Sequence, residues 1–89
     1  MSNETYLNHP TFGLLYRVCL LDNNQELFTT LYAQRLFFLL KILPSDMVFE
    51  PVSRSGAKLL VETRVRDLQR LGAFQDYQEL QIIYQRTFF

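Results

Sequence analysis

One histidine, His9, and one cysteine, Cys19, are the side chains of this sequence best suited to act as base, nucleophile or soft metal ligand. A Cys–His pair can carry nucleophilic catalysis when the imidazole takes the thiol proton, but nothing in the spacing of these two ties them together. His9 precedes Pro10, which restricts it to extended backbone, so a turn histidine bonded to backbone is the simpler reading. A metal site needs several convergent ligands, and one His, one Cys and scattered carboxylates do not supply them. Gly13, Gly56 and Gly72 stand alone, so no glycine-rich loop cradles a phosphate. Glu26, Glu50, Glu62 and Asp67 fall where solvated strand ends and helix faces are expected rather than as an acid–base pair. The sequence reads as carrying no catalytic residue, no metal and no cofactor.

Recognition chemistry is better represented. The stretch Leu31-Tyr-Ala-Gln-Arg-Leu-Phe-Phe38 separates two strand-like runs, yet tight hairpin turns favour Asn-Gly, Asp-Gly or Gly. If the chain turns here, Tyr32 and Arg35 project near a sheet end. Large side chains combining apolar area with a hydrogen-bonding tip dominate protein interfaces. Tyr6 is of the same kind, in an otherwise polar arm beside Glu4. The plain alternative for these aromatics is a half-buried place in the core.

The bulk composition suits a small binding module. Eighty-nine residues with 48% hydrophobic and 15% aromatic content can pack one core, and three Gly and three Pro argue against disorder. Formal net charge is zero, which removes the strongest prior for nucleic acid or an anionic membrane. The charge is uneven: Arg54, Lys58, Arg64, Arg66 and Arg70 make residues 53–71 basic, against Glu62 and Asp67. These cations do not share one helix face, so a solvated helix with Glu62 pairing Arg66 competes with a site for an acidic partner. A lone cysteine forms no internal disulfide, the start Met1–Thr5 is not a signal peptide, and the apolar run Leu36–Leu40 is far short of a membrane span. The expectation is a cytoplasmic protein, monomeric when free, that meets neither membrane nor nucleic acid directly.

Two regimes meet near Val52, giving an expected division into a β domain, 1–52, and a two-helix extension, 53–89. Phe12–Leu21, Glu26–Tyr32, Arg35–Leu43 and Met47–Val52 read as short strands, separated by the turn signals Asp22–Gln25 and Pro44–Asp46. Pro51 suits an edge or a strand end. Glu26–Leu43 could also form one helix, but Leu36–Leu40 would then be apolar on every side, whereas a strand buried on both faces accommodates it. After Ser53, a plausible N-cap, Ala57, Val61, Val65 and Leu68 recur at helical spacing, with Leu60 and Leu71 beside them. Gly72 sits where a C-cap glycine belongs. A second helix follows over about Ala73–Thr87, with Phe74, Tyr77, Leu80, Tyr84 and Phe88 on one side. Such helices form an antiparallel hairpin or splay at Gly72. The fold class is α+β: a four- or five-stranded curled sheet or small barrel, then two helices. Its interior has room for only a few side chains.

The run from Tyr6-Leu-Asn-His-Pro-Thr-Phe-Gly-Leu-Leu-Tyr16, with Glu26-Leu-Phe, Leu31–Phe38, Phe49-Glu-Pro51 and Tyr84-Gln-Arg-Thr-Phe88, resembles the PII-interacting protein X (PipX) family of cyanobacteria. The likeness spans nearly the whole chain. It implies a strongly bent antiparallel sheet of Tudor-like (KOW-like) type followed by two helices. It also implies an adaptor in nitrogen regulation with two competing partners. One is the trimeric signalling protein PII, which captures the adaptor through its T-loops when 2-oxoglutarate is low and ADP prevails. The other is NtcA, a dimeric CRP-family activator that the adaptor coactivates when 2-oxoglutarate is high. By match the shared partner-binding surface falls on Glu4, Tyr6, Tyr32, Gln34, Arg35, Leu36 and Phe38, and Gly72 is the hinge of the helix pair. Further transcription regulators are possible partners. A Tudor- or KOW-like module binding nucleic acid or the transcription machinery is the alternative.

Overall fold

The computed structural model describes residues 5–22, 24–30 and 36–89. Five strands form an antiparallel meander in the order β1-β2-β3-β4-β5: β1 Tyr6–His9, β2 Gly13–Leu21, β3 Gln25–Thr30, β4 Phe37–Leu43 and β5 Asp46–Val52. The sheet curls into a half-barrel, and helices α1 Arg54–Arg70 and α2 Phe74–Phe88 follow it. The architecture is the α+β order read from the sequence, and Glu26–Leu43 divides into β3 and β4 rather than forming a helix. One strand escaped that reading: β1 lies in the arm taken as polar, and Phe12 belongs to the turn before β2 instead of to the strand.

Each turn has a local cause. Asn24 adopts φ 56° where β2 passes into β3, a left-handed conformation that Asn tolerates better than most residues. Its carbonyl accepts a hydrogen bond from Ile42 N–H at 3.1 Å, joining this turn to β4. At the β4–β5 turn, Leu43 pairs with Asp46 across Pro44 and Ser45, and Asp46 Oδ1 accepts from Met47 N–H at 2.7 Å.

A β-bulge in β2 decides how the sheet buries its side chains. Arg17 pairs with Phe28 and Cys19 with Leu27, leaving Val18 as the extra residue between them. Before the bulge Leu15 faces the concave interior, where it packs with Phe28, Phe38 and Leu40, flanked by Leu7 and Phe49. After it, Cys19 and Leu21 face the opposite side, against the helices, as does Val18 itself. An inserted residue reverses the alternation of a strand in this way. Neighbouring residues of β3 and β4 divide likewise: Leu27 and Phe37 go to the helix side, Phe28 and Phe38 to the interior. Phe37, Phe38, Leu39 and Leu40 are consequently all buried.

The helices cover one face. Ser53 caps α1, its hydroxyl accepting from Gly56 N–H at 3.0 Å. Ala57, Val61, Val65 and Leu68 are the buried stripe of α1 and meet Leu80 and Phe88 of α2. Gly72 has φ +76°, with Ala73 N–H bonded to Leu68 O at 3.0 Å and Gly72 N–H to Gln69 O at 3.1 Å. That pair of bonds is a Schellman motif, which satisfies two end carbonyls and needs a left-handed residue. The chain then folds back, so that Phe88 stacks on Phe37 with ring centroids 5.5 Å apart. Leu71 and Phe74, expected to join the apolar stripes, are 73% and 67% exposed at the reversal. They flank the Gly72 turn, where the chain leaves the helix pair instead of lying between its members.

Candidate functional site

Two segments far apart in sequence reach one end of the sheet. Tyr6 pairs with Tyr16, Tyr16 with Thr29 and Thr29 with Phe37, a row crossing four strands. Arg17 N–H bonds to Thr5 O at 3.0 Å, continuing the β1–β2 ladder past Tyr6. In the next row Leu7 pairs with Leu15, Leu15 with Thr30, and Thr30 N–H bonds to Leu36 O at 3.1 Å. Thr29 Oγ1 also donates to Leu36 O, at 2.8 Å. The connection between β3 and β4 therefore departs and returns at the end of the sheet shared with the β1–β2 hairpin.

The expected contact residues divide on inspection. Tyr6 is 45% exposed and Leu36 46% exposed, each with apolar area open to a partner. The Tyr6 ring rests on Tyr16 at 5.6 Å, a support the sequence does not disclose, because it depends on the pairing of the missed strand β1. Glu4, Tyr32, Gln34 and Arg35 lie outside the described residues. Phe38 departs from the expectation: it is 4% exposed and offers no contact area. Its inward position follows from register, since Phe38 pairs with Phe28 and both point into the half-barrel. The rings of Phe12 and His9 cover it, at 5.0 and 5.9 Å.

His9, expected in a turn, is instead the last residue of β1, with its ring bonded to the backbone of the turn that follows. Its Nδ1 accepts from Thr11 N–H at 3.1 Å and Phe12 N–H at 3.3 Å. Cys19 takes no part with it: Cys19 packs on the helix side of the sheet and His9 against the interior rings. Burial pushes the Cys19 thiol up to about 12, against the pull of Arg64 and Arg17. A thiol so protonated is a packing group at neutral pH, since the thiolate is the reactive form. Among the described residues no group of three or more His, Cys, Asp or Glu side chains could hold a metal ion, and no helix is long and apolar enough to cross a membrane.

The basic segment is largely spent within the molecule. Arg64 pairs with Asp22 of the β2–β3 turn at 3.2 Å and Arg70 with Asp67 at 2.6 Å. Arg54 lies over the Phe88 ring and donates to Thr87 O at 3.1 Å, while Lys58 lies 4.5 Å from the Phe89 ring centroid. The expected Glu62–Arg66 pair does not form; Glu62 accepts instead from the Tyr84 hydroxyl. That bond joins α1 to α2, a tertiary partner that helical spacing within α1 could not reveal.

A family model described as PipX, PII-interacting protein X, matches residues 3–88 of the 89-residue chain. A comparison with curated proteins finds no match.

Proposed function

Because the chain belongs to the PII-interacting protein X family, we propose that it is a cytoplasmic adaptor that passes between PII and the activator NtcA according to 2-oxoglutarate level. The observation that supports this reading is the exposure of Tyr6 and Leu36 in neighbouring rows of one sheet end. In the proposal Tyr6, Tyr32 and Leu36 supply apolar area. Arg35 offers a planar hydrogen-bonding fork to carbonyls or carboxylates, and Glu4 and Gln34 set orientation at the rim. Phe38 contributes from beneath, as the interior ring on which His9 and Phe12 of the β1–β2 hairpin rest. Each partner covers the same patch, so only one binds at a time.

The switching follows from linkage. An effector that binds the partners, and not the adaptor, changes two affinities in opposite directions, so occupancy reports metabolite level. Coactivation requires only that the adaptor prefer the active form of NtcA. A hundredfold preference corresponds to about 2.7 kcal/mol. Opening of the helix pair at Gly72 accompanies capture by PII in this scheme.

The test is a titration of the protein with PII under ADP and under ATP with 2-oxoglutarate, then with NtcA under both conditions. The expected result is opposite dependence on 2-oxoglutarate, competition between the partners, and loss of both affinities in Tyr32→Ala with little change in melting temperature. A ternary complex through this surface, or stabilisation of the free protein by 2-oxoglutarate, would overturn the reading.

A further inference from the structure

His9 does two things with one ring. Pro10 has no N–H, so Thr11 and Phe12 carry the first donors of the β1–β2 turn, and both bond to His9 Nδ1. The ring acts as the side chain of an Asx turn does, with its proton left on Nε2. The same ring lies against Phe12 at 5.1 Å, stacks on Phe38 of β4 at 5.9 Å and meets Phe49 of β5 edge-on at 5.4 Å.

These contacts matter because of the topology. β1 and β5 are the two ends of the strand order, and no ladder joins them among the described residues. β1 is thus fixed by its ladder to β2 on one side and by side chains, Leu7 and His9, on the other. It has four residues, with Tyr6 at its first position and His9 at its last. A tilt of so short a strand at one end displaces the other.

We propose that His9 is a positioning residue for docking: it fixes the strand that presents Tyr6 to PII without being a contact itself. The proposal rests on the reading above that Tyr6 meets PII. It explains why a half-buried ring with a turn-capping nitrogen closes the open side of the half-barrel, where a plain phenylalanine would supply packing alone.

The experiment is a double-mutant cycle on PII affinity in ADP, using His9→Ala, Tyr6→Ala and the double variant. His9→Asn is added as a variant that keeps a turn-capping acceptor, and each protein is tested well below its melting temperature. His9→Ala should weaken binding about tenfold in the native background and less than twofold where Tyr6 is already Ala. His9→Asn should recover part of the loss. Equal weakening in both backgrounds, or no recovery by Asn, overturns the positioning role while leaving the Tyr6 contact intact. No loss from Tyr6→Ala overturns the contact reading itself and this inference with it.

Discussion

The two faces of the sheet are closed by different means. On the helix side, Val18, Leu27 and Phe37 meet a preformed stripe from α1 and two anchors from α2. On the concave side, Leu15, Phe28, Phe38 and Leu40 are closed by the sheet's own curl and by rings at the β1–β2 tip. One closure is a second layer of regular structure; the other is a lid made by a single turn. The two proposed contact residues with described, exposed side chains, Tyr6 and Leu36, lie on or beside strands of the sheet and not on the helix layer.

The sharpest way to separate the two faces is to empty each in turn. Phe28→Ala and Phe37→Ala each remove a ring that is nearly inaccessible to solvent, and each should cost about 3–5 kcal/mol in equilibrium urea unfolding. They should differ in hydrogen exchange. Loss of Phe37 removes the ring on which Phe88 stacks, so α2 amides should exchange faster than the global loss requires, whereas Phe28→Ala should leave α2 tracking global unfolding. Selective loosening of α2 by Phe28→Ala would show that the two cores are not separate.

A smaller effect isolates the helix reversal. A Cβ added at Gly72 meets nothing within 4 Å, so Gly72→Ala tests conformation alone. At φ +76° it should cost about 1–2 kcal/mol in urea unfolding, and a neutral result would mean that the reversal adjusts freely.

The smallest effect concerns the bond between the helices. The Tyr84 phenol is held above the usual tyrosine range, first by its hydrogen bond to Glu62, then by burial and by the Glu62 charge. A raised value means that the folded state favours the protonated phenol. That support is complete below the ordinary tyrosine value, about 10, and is lost as pH rises through the higher folded value. Urea unfolding followed by helical circular dichroism at pH 8 and above pH 10 should show the native protein losing more stability than Tyr84→Phe. Equal losses would mean that the bond contributes nothing to the helix layer.

The helix side was legible in the sequence because its signal is local. Ala57, Val61, Val65 and Leu68 recur at the helical period, Ser53 precedes them and Gly72 ends them, each for a reason contained in a few residues. The lid was not. β1 offers one inward apolar residue, Leu7, before His9, too little for alternation to be seen. The burial of Phe38 depends on register with Phe28 and on a ring delivered from the first hairpin. The exposure of Tyr6 could be anticipated from residue type and its polar neighbours, whereas that of Leu36 came only from the family resemblance, since Leu36–Leu40 read as a strand buried on both faces. The support of Tyr6 by Tyr16 and the diversion of Glu62 to Tyr84 are tertiary facts with no local signature.

The bulge at Val18 has a consequence for how this chain can change over time. The register of β2 on either side of it is out of phase by one residue, and both cores draw on that offset. Substitution at position 18 is a matter of volume, but loss of the bulge with no residue removed is a matter of parity. A β2 that kept all its residues but paired without the bulge would return to strict alternation, leaving Leu15 and Cys19 on one side. The strand could then fill the half-barrel or greet the helices, and no single compensating substitution would restore both.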